Sequence, residues 1–273
     1  MSSGLVKKGL TAFLLSIVTP GLGQVYNGQL WEGVFSFAGL LGFLTLSAAV
    51  GLVHSFKGLV VHVVLFLAAY LFVIGQSCLT AIRQVRADRR PVQTWRSYVL
   101  GISLFSINLL FLSGNTIPDG IPGVRAYKVT VASMAPTVVP GDRIIADMQY
   151  YRSHPPRRGD VIIFRVPTNS EVWMKRIVAV GGDVISLSGQ KVQVNGTVVS
   201  EPYTRYEPVE GSVESGDFKA LTIPADRFFV MGDNRNHSFD SRYFGPIGRD
   251  RILGKPLYVY WSQEKSRIGR DIR

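Results

Sequence analysis

Asp160-Val-Ile-Ile-Phe-Arg-Val166 and Val172-Trp-Met-Lys-Arg-Ile-Val-Ala-Val180 are dense in β-branched and aromatic residues and contain neither Gly nor Pro. Runs of this length and composition read as β-strands. The same texture extends outward through 184–187, 192–194, 197–199 and 227–230. Asn195-Gly196, between two of these runs, predicts a two-residue hairpin turn. From about residue 126 onward the chain has no sustained helical period and no alternation of strands with helices. The segment 126–273 is therefore expected to be a mostly antiparallel β domain.

The N-terminal third has a different texture. Two apolar runs, 33–53 and 58–82, have the length that crosses a bilayer, roughly 20 residues at 1.5 Å rise each. A third run, 97–112, is shorter and includes Asn108, but Trp95, Arg96 and Tyr98 bound it as an interfacial anchor would. Residues 33–113 are thus expected to form a membrane domain of about three transmembrane helices, joined by a linker, 114–125, to the β domain. The loop 83–96 carries five arginines against one aspartate, which puts it in the cytoplasm. Counting spans from there, the short loop 54–57 and everything after about 115 lie outside, and the segment before 33, with Lys7 and Lys8, lies inside.

The first 32 residues read as an interfacial or re-entrant segment. The apolar run 10–18 is too short to span, and Thr19-Pro-Gly-Leu-Gly-Gln-Val-Tyr-Asn-Gly28 breaks a helix with its proline and glycines. The Pro-Gly-Leu-Gly-Gln-x-Tyr-x-Gly pattern is similar to a short motif of small two-span membrane domains; a plain turn before a helix is the other reading. A cleavable signal peptide would also begin with lysines and a short apolar run. No small-x-small site follows in a suitable position, so the segment is expected to be retained.

Composition narrows the partners. The net charge of +11 could serve a nucleic acid, but no stripe of interleaved aromatic and basic residues is visible, and anionic membrane lipid is the better match. Cys78 is the only cysteine, so neither an intrachain disulfide nor a cysteine cluster can form. The four histidines show no ligand spacing, and no metal or cofactor is expected.

Three stretches carry chemistry: Val131-Ala-Ser-Met-Ala-Pro-Thr-Val-Val-Pro-Gly-Asp142, Val172-Trp-Met-Lys-Arg-Ile-Val-Ala-Val-Gly-Gly-Asp183 and Gly232-Asp-Asn-Arg-Asn-His-Ser-Phe-Asp-Ser-Arg-Tyr-Phe-Gly-Pro246. In this order, over about 128–260, they resemble the type I signal peptidases. The resemblance implies N-terminal transmembrane helices followed by an extracytoplasmic β-rich serine endopeptidase of the cell (inner) membrane. It also implies the substrates, the signal peptides of exported preproteins cut after small-x-small (Ala-x-Ala) sites, with membrane lipids and the export machinery as further partners and no nucleic acid. Carried over residue by residue, it makes Ser133 the nucleophile and Lys175 the general base. Ser238 then orients the lysine amine, and Asp240 and Arg242 form a supporting charged pair.

The residues themselves agree with that chemistry. A serine hydroxyl becomes a good nucleophile only when a base takes its proton. An ordinary lysine, with a pKa of about 10.4, must be desolvated towards roughly 7 to 8 to act as that base. Trp173 and Ile177 alternate with Lys175 along the strand and Met174 adjoins it, which supplies apolar walls. Taken alone, a lysine in a strand usually points to solvent, and Ser238 with Asp240 could be an ordinary polar turn. His237 adjoins Ser238, but no acidic residue is marked out to orient it. Pro136 and Pro140 can fix the backbone around Ser133, and Gly141-Asp142 and Gly182-Asp183 read as turns.

One position departs from the pattern. Many members have a serine two positions before the nucleophile that donates to the oxyanion; here it is Val131, leaving the Ser133 N–H with Thr130 or a water. Two other readings stay open. One is a specialised peptidase of the same clan, such as a conjugative pilin maturation protease. The other is a non-catalytic membrane scaffold, which Val131 would suit. A self-cleaving DNA-bound repressor would share the Ser/Lys chemistry but lacks the spans and would need a DNA-binding module.

Overall fold

The computed structural model describes residues 3–49, 51–87, 95–112, 123–167, 171–206 and 218–273. The chain divides into two compact units, Met1–Pro122 and Gly123–Arg273. Residues 114–122 of the expected linker and 88–94 of the arginine loop lie outside the described residues.

The first unit is helical: α1 (Ser3–Val18), α2 (Leu22–Tyr26), α3 (Leu30–Ala49), α4 (Phe56–Arg86) and α5 (Trp95–Leu112). The helices extend or shift the expected runs by a few residues because local chemistry sets the ends. Gly51 turns with φ 81° after α3, and Ser55 caps α4 by accepting from Gly58 N at 3.1 Å. Leu46 on α3 and Leu71 and Phe72 on α4 are exposed. A helix that is apolar both inside and out suits lipid better than water. Residues Leu30–Ser47 and α4 are each long and apolar enough to cross a membrane.

The segment before α3 forms a hairpin along α4. Gly9 lies against Ile82 and Cys78, and farther along α1 the Ile17 carbonyl accepts from Tyr70 Oη at 2.6 Å. After the turn at Thr19-Pro20-Gly21 the chain comes back. Gln24 Nε2 donates to Val73 O at 2.9 Å, Asn27 Nδ2 donates to Ser77 O at 2.7 Å, and Gln84 Nε2 donates to Asn27 O at 2.8 Å. Contacts along α4 thus run from Ile82 to Tyr70 and back to Gln84. Gly23 permits this approach, because a Cβ there would stand 2.0 Å from Ser77 Oγ. The glycines and amides of this motif are therefore packing and bonding groups rather than a plain turn.

The second unit is built from antiparallel sheets. A seven-stranded sheet runs in the order β1-β2-β11-β3-β4-β9-β10, from β1 (Val124–Lys128), β2 (Arg143–Asp147), β3 (Val161–Arg165), β4 (Val172–Val180), β9 (Arg227–Met231), β10 (Ile247–Gly248) and β11 (Ile252–Trp261). A four-stranded sheet, β7-β6-β5-β8, contains β5 (Val184–Ser188), β6 (Lys191–Val194), β7 (Thr197–Val198) and β8 (Phe218–Thr222). The fold is the antiparallel β fold expected for the C-terminal part. Asn195 (φ 54°) and Gly196 (φ 76°) make the two-residue turn between β6 and β7. Ile185, Leu187, Val192 and Val194 of the small sheet pack on Val178, Phe229 and Met231 of the large one. Each such side chain contributes about 1.5–3 kcal/mol on full burial. A separate cluster, Met134, Val138, Ile144, Val161 and Val259, anchors the connection between β1 and β2.

Candidate active site

Lys175 reaches the site through strand geometry. β4 pairs with β3 along Val172–Arg176, Lys175 opposite Ile162, and with β9 only from Arg176 onward. Side chains alternate across a strand, so Lys175 shares a face with Trp173, whose ring centroid lies 5.4 Å from Nζ. Ser133 belongs to the loop 129–142 between β1 and β2. That loop is closed at its base, Val129 N donating to Asp142 O and Gly141 N to Val129 O, both at 2.8 Å. Met134, next in the chain, is buried in the core, which fixes the backbone on the C-terminal side of the serine.

Lys175 Nζ donates to Ser133 Oγ at 2.7 Å. Lys175 is 3% exposed and Ser133 8% exposed. Burial pushes the lysine amine down from 10.5 to about 8; Asp240 and Asp233 oppose that shift and Arg242 adds to it. Once the amine is neutral, the same contact can run the other way, with the hydroxyl donating. A buried neutral amine on a serine hydroxyl is the arrangement that activates an acyl-transfer nucleophile.

The segment following β9 encloses the pair. Asp240 accepts from Ser238 Oγ at 2.6 Å and from Gly232 N at 2.9 Å, and Arg242 Nε donates to it at 2.8 Å. The Asp240–Arg242 pair therefore exists and is buried. The hydrogen bond described for the Ser238 hydroxyl runs to Asp240 rather than to Lys175. His237 is exposed, and the base within hydrogen-bond distance of Ser133 Oγ is the lysine. Val131 is 62% exposed and lines the cleft, where its isopropyl group offers no donor. Among the described residues no cluster of His, Cys, Asp and Glu could hold a metal ion.

Sequence reasoning missed a second buried ion pair. Arg176 grips Asp233 with a fork, Nε to Oδ1 at 2.8 Å and Nη2 to Oδ2 at 2.7 Å, and Thr137 Oγ1 donates to the same carboxylate. The next residue, Asn234, donates its N–H to Ser133 O at 3.1 Å. Asp233 and its neighbour thus tie β4 to the loop that carries Ser133. An arginine inside the apolar run Arg176-Ile-Val-Ala179 was the available signal, since a buried charge needs a partner.

Ser133 and Lys175 open onto a cleft of about 370 Å³, lined also by Val129, Met134, Ile144, Ile163 and Met174. Two strand edges flank it. Among the described residues, β1 pairs only with β2, and Val172–Lys175 pairs only with β3.

Residues 122–261 match the family model described as "Signal peptidase, peptidase S26". Signal peptidase I of Leptolyngbya laminosa is 35% identical over 50% of this chain and 68% of its own length. The probable thylakoidal processing peptidase 2 of Arabidopsis thaliana chloroplasts is 34% identical over 59% of this chain, and the match spans 42% of that longer protein. A solved signal peptidase I from Enterococcus faecalis V583 aligns with a TM-score of 0.33 at 30% identity, covering 37% of this chain and 97% of that one.

Proposed function

The chain belongs to the peptidase S26 family of signal peptidases, and on that premise we propose that it removes signal peptides from exported preproteins through a Ser133–Lys175 dyad. It is a serine endopeptidase of the signal peptidase I type. The observation that carries the assignment of the dyad is the 2.7 Å contact between a buried amine and a buried hydroxyl at an apolar cleft. Ser133 attacks the scissile carbonyl while Lys175 takes its proton and later returns it to the leaving amine. Asp240, Arg242 and Ser238 hold one wall of the site, and the Ser133 N–H is the backbone donor to the oxyanion.

Substrate choice follows from the two strand edges. An extended peptide laid between β1 and the start of β4 can pair its main chain with both. Alternate side chains of such a peptide face the same way, so two residues separated by one turn together towards the apolar floor. That two-residue spacing is the spacing of the small positions in small-x-small cleavage sites.

The pH profile tests the base. With the amine held near 8, catalytic efficiency should climb about tenfold per pH unit below that value and level off above it. His237→Ala should leave this limb in place. A limb flattened by His237→Ala would transfer the base role to the histidine and end the dyad assignment.

The protein is membrane-associated, as signal peptidase I relatives are. We read α3, α4 and α5 as three spans, with the arginine-rich connection after α4 cytoplasmic, the β unit extracytoplasmic, and α1–α2 re-entrant from the cytoplasmic face. Membrane lipids, and the export machinery that delivers preproteins, are the partners this arrangement implies. Protease added outside spheroplasts should cut at Gly189, in the turn between β5 and β6, and spare the α4–α5 connection. Protection of the β unit would refute this topology.

A further inference from the structure

Arg267 follows β11 in the short turn Lys265–Arg267, beyond the residues that match the family model. It is 6% exposed, and its guanidinium reaches back to the nucleophile loop. Nη1 donates to Pro136 O at 3.2 Å and Nη2 to Thr137 O at 3.0 Å. Nη2 and Nε also donate to Asp142 Oδ2, at 2.8 and 3.1 Å. Asp142 is fully buried and accepts from Val139 N at 3.0 Å as well. One side chain therefore satisfies two main-chain carbonyls, three and four residues past Ser133, together with the carboxylate at the base of the same loop.

Burial on its own would raise the Asp142 carboxyl, but the bonds from Arg267 and Val139 outweigh it and hold the group below its ordinary value. The carboxylate is thus charged wherever the peptidase works, and the clamp is present throughout. The tail that carries Arg267 is itself fastened to β11. Gly269 N donates to Val259 O at 2.8 Å, Val259 N to Arg270 O at 3.0 Å, and Ile272 N to Leu257 O at 2.9 Å. Ile272 is buried in the cluster that holds Met134, Val138 and Ile144.

Thr137 is consequently held from two directions, its carbonyl by Arg267 and its hydroxyl by Asp233. Both restraints act on the short stretch that fixes where Ser133 stands relative to Lys175. We propose that Arg267 is a positioning residue for the peptidase reaction, setting the nucleophile loop so that Ser133 Oγ meets both the lysine amine and the scissile carbonyl. It touches neither dyad residue and is not a catalytic residue. A lysine cannot replace it, because one ammonium cannot present a planar fork to a carboxylate and two carbonyls at once. The proposal rests on the dyad reading above.

The test uses the full-length protein and a signal-peptide substrate. Arg267→Ala leaves Asp142 buried and unpaired and could unfold the unit, so Arg267→Lys, which keeps the charge, is measured beside it. Displacements on the 1 Å scale cost about a hundredfold in enzyme rates; Arg267→Lys is expected to lower kcat by about tenfold or more with KM within about twofold. The pH limb should stay near 8, because the charges of Asp240, Asp233 and Arg242 that act on Lys175 lie outside the nucleophile loop. Wild-type kcat in folded Arg267→Lys would overturn the proposal. So would a raised KM at constant kcat, or a displaced limb, since each assigns the arginine a different role. None of these results touches the dyad, which fails separately if Ser133→Ala retains activity.

Discussion

Ser133→Ala, Lys175→Ala and the double variant are expected to lose cleavage of a signal-peptide substrate to the same residual level. The reason is that hydroxyl and amine form one proton-transfer unit: without the amine the hydroxyl is not activated, and without the hydroxyl the amine has nothing to deprotonate. In subtilisin, single changes at the serine or the histidine each cost about as much as removing the whole triad, on the order of a millionfold in kcat. A loss of several orders of magnitude, with no further loss in the double variant, is the expected pattern. Lys175→Met is the better second variant. It fills the space of a buried stem without supplying a base, so a cavity cannot account for its inactivity. Substrate binding should survive all of these changes, because the proton moves only on the way to the transition state. Cleavage at an appreciable fraction of the wild-type rate by Ser133→Ala or Lys175→Met would remove the dyad from the mechanism.

How much of this was legible beforehand depended on how local each feature is. β3, β4, β5 and β9 stand close to the runs of β-branched and aromatic residues that predicted them, since one uninterrupted strand is written in one stretch of chain. β2 and β11 were not anticipated. β2 is only five residues long and follows Pro140-Gly141-Asp142, which reads as turn. β11 contains Gly254 and Pro256 and shifts register against both neighbours, so its alternation is broken where it would have been recognised. The first 32 residues read as an interfacial or re-entrant segment, but their hairpin along α4 was not legible, because its partners on α4 lie some fifty residues away.

The same division runs through the site. Ser133 and Lys175 could be named because each sits in a motif whose order along the chain is characteristic. Their surroundings could not. Asp233 meets Arg176 across 57 positions and Arg267 meets Thr137 across 130, and neither pairing has a spacing that a strand or helix period would mark. Ser238 illustrates the limit of analogy. Its place in the motif suggested a bond to the lysine, whereas its hydroxyl donates to Asp240, whose charge in turn acts on the lysine.

Gly232→Ala is expected to be strongly damaging, because the backbone of the third motif is packed directly on Ser133. A Cβ at Gly232 would stand 2.4 Å from Ser133 O and 2.3 Å from Ser238 Oγ. Neither atom is the free end of a long side chain. The carbonyl is fixed by Asn234 N at 3.1 Å, and the hydroxyl by Asp240 at 2.6 Å. Gly232 cannot retreat either, since its own N–H donates to Asp240 at 2.9 Å and its carbonyl accepts from Arg235 Nε at 3.1 Å. Relief therefore requires Ser133 to move away by several tenths of an ångström or more. A shift near 1 Å at a reacting atom costs about a hundredfold in rate, and that is the expected fall in kcat. Adding Ser238→Gly clears one of the two overlaps and leaves the carbonyl one, so it should restore little. If the overlap with Ser133 is what matters, Gly232→Ala will melt as a folded protein yet turn over slowly. Near-normal kcat in that protein would mean that the nucleophile does not depend on this contact for its place.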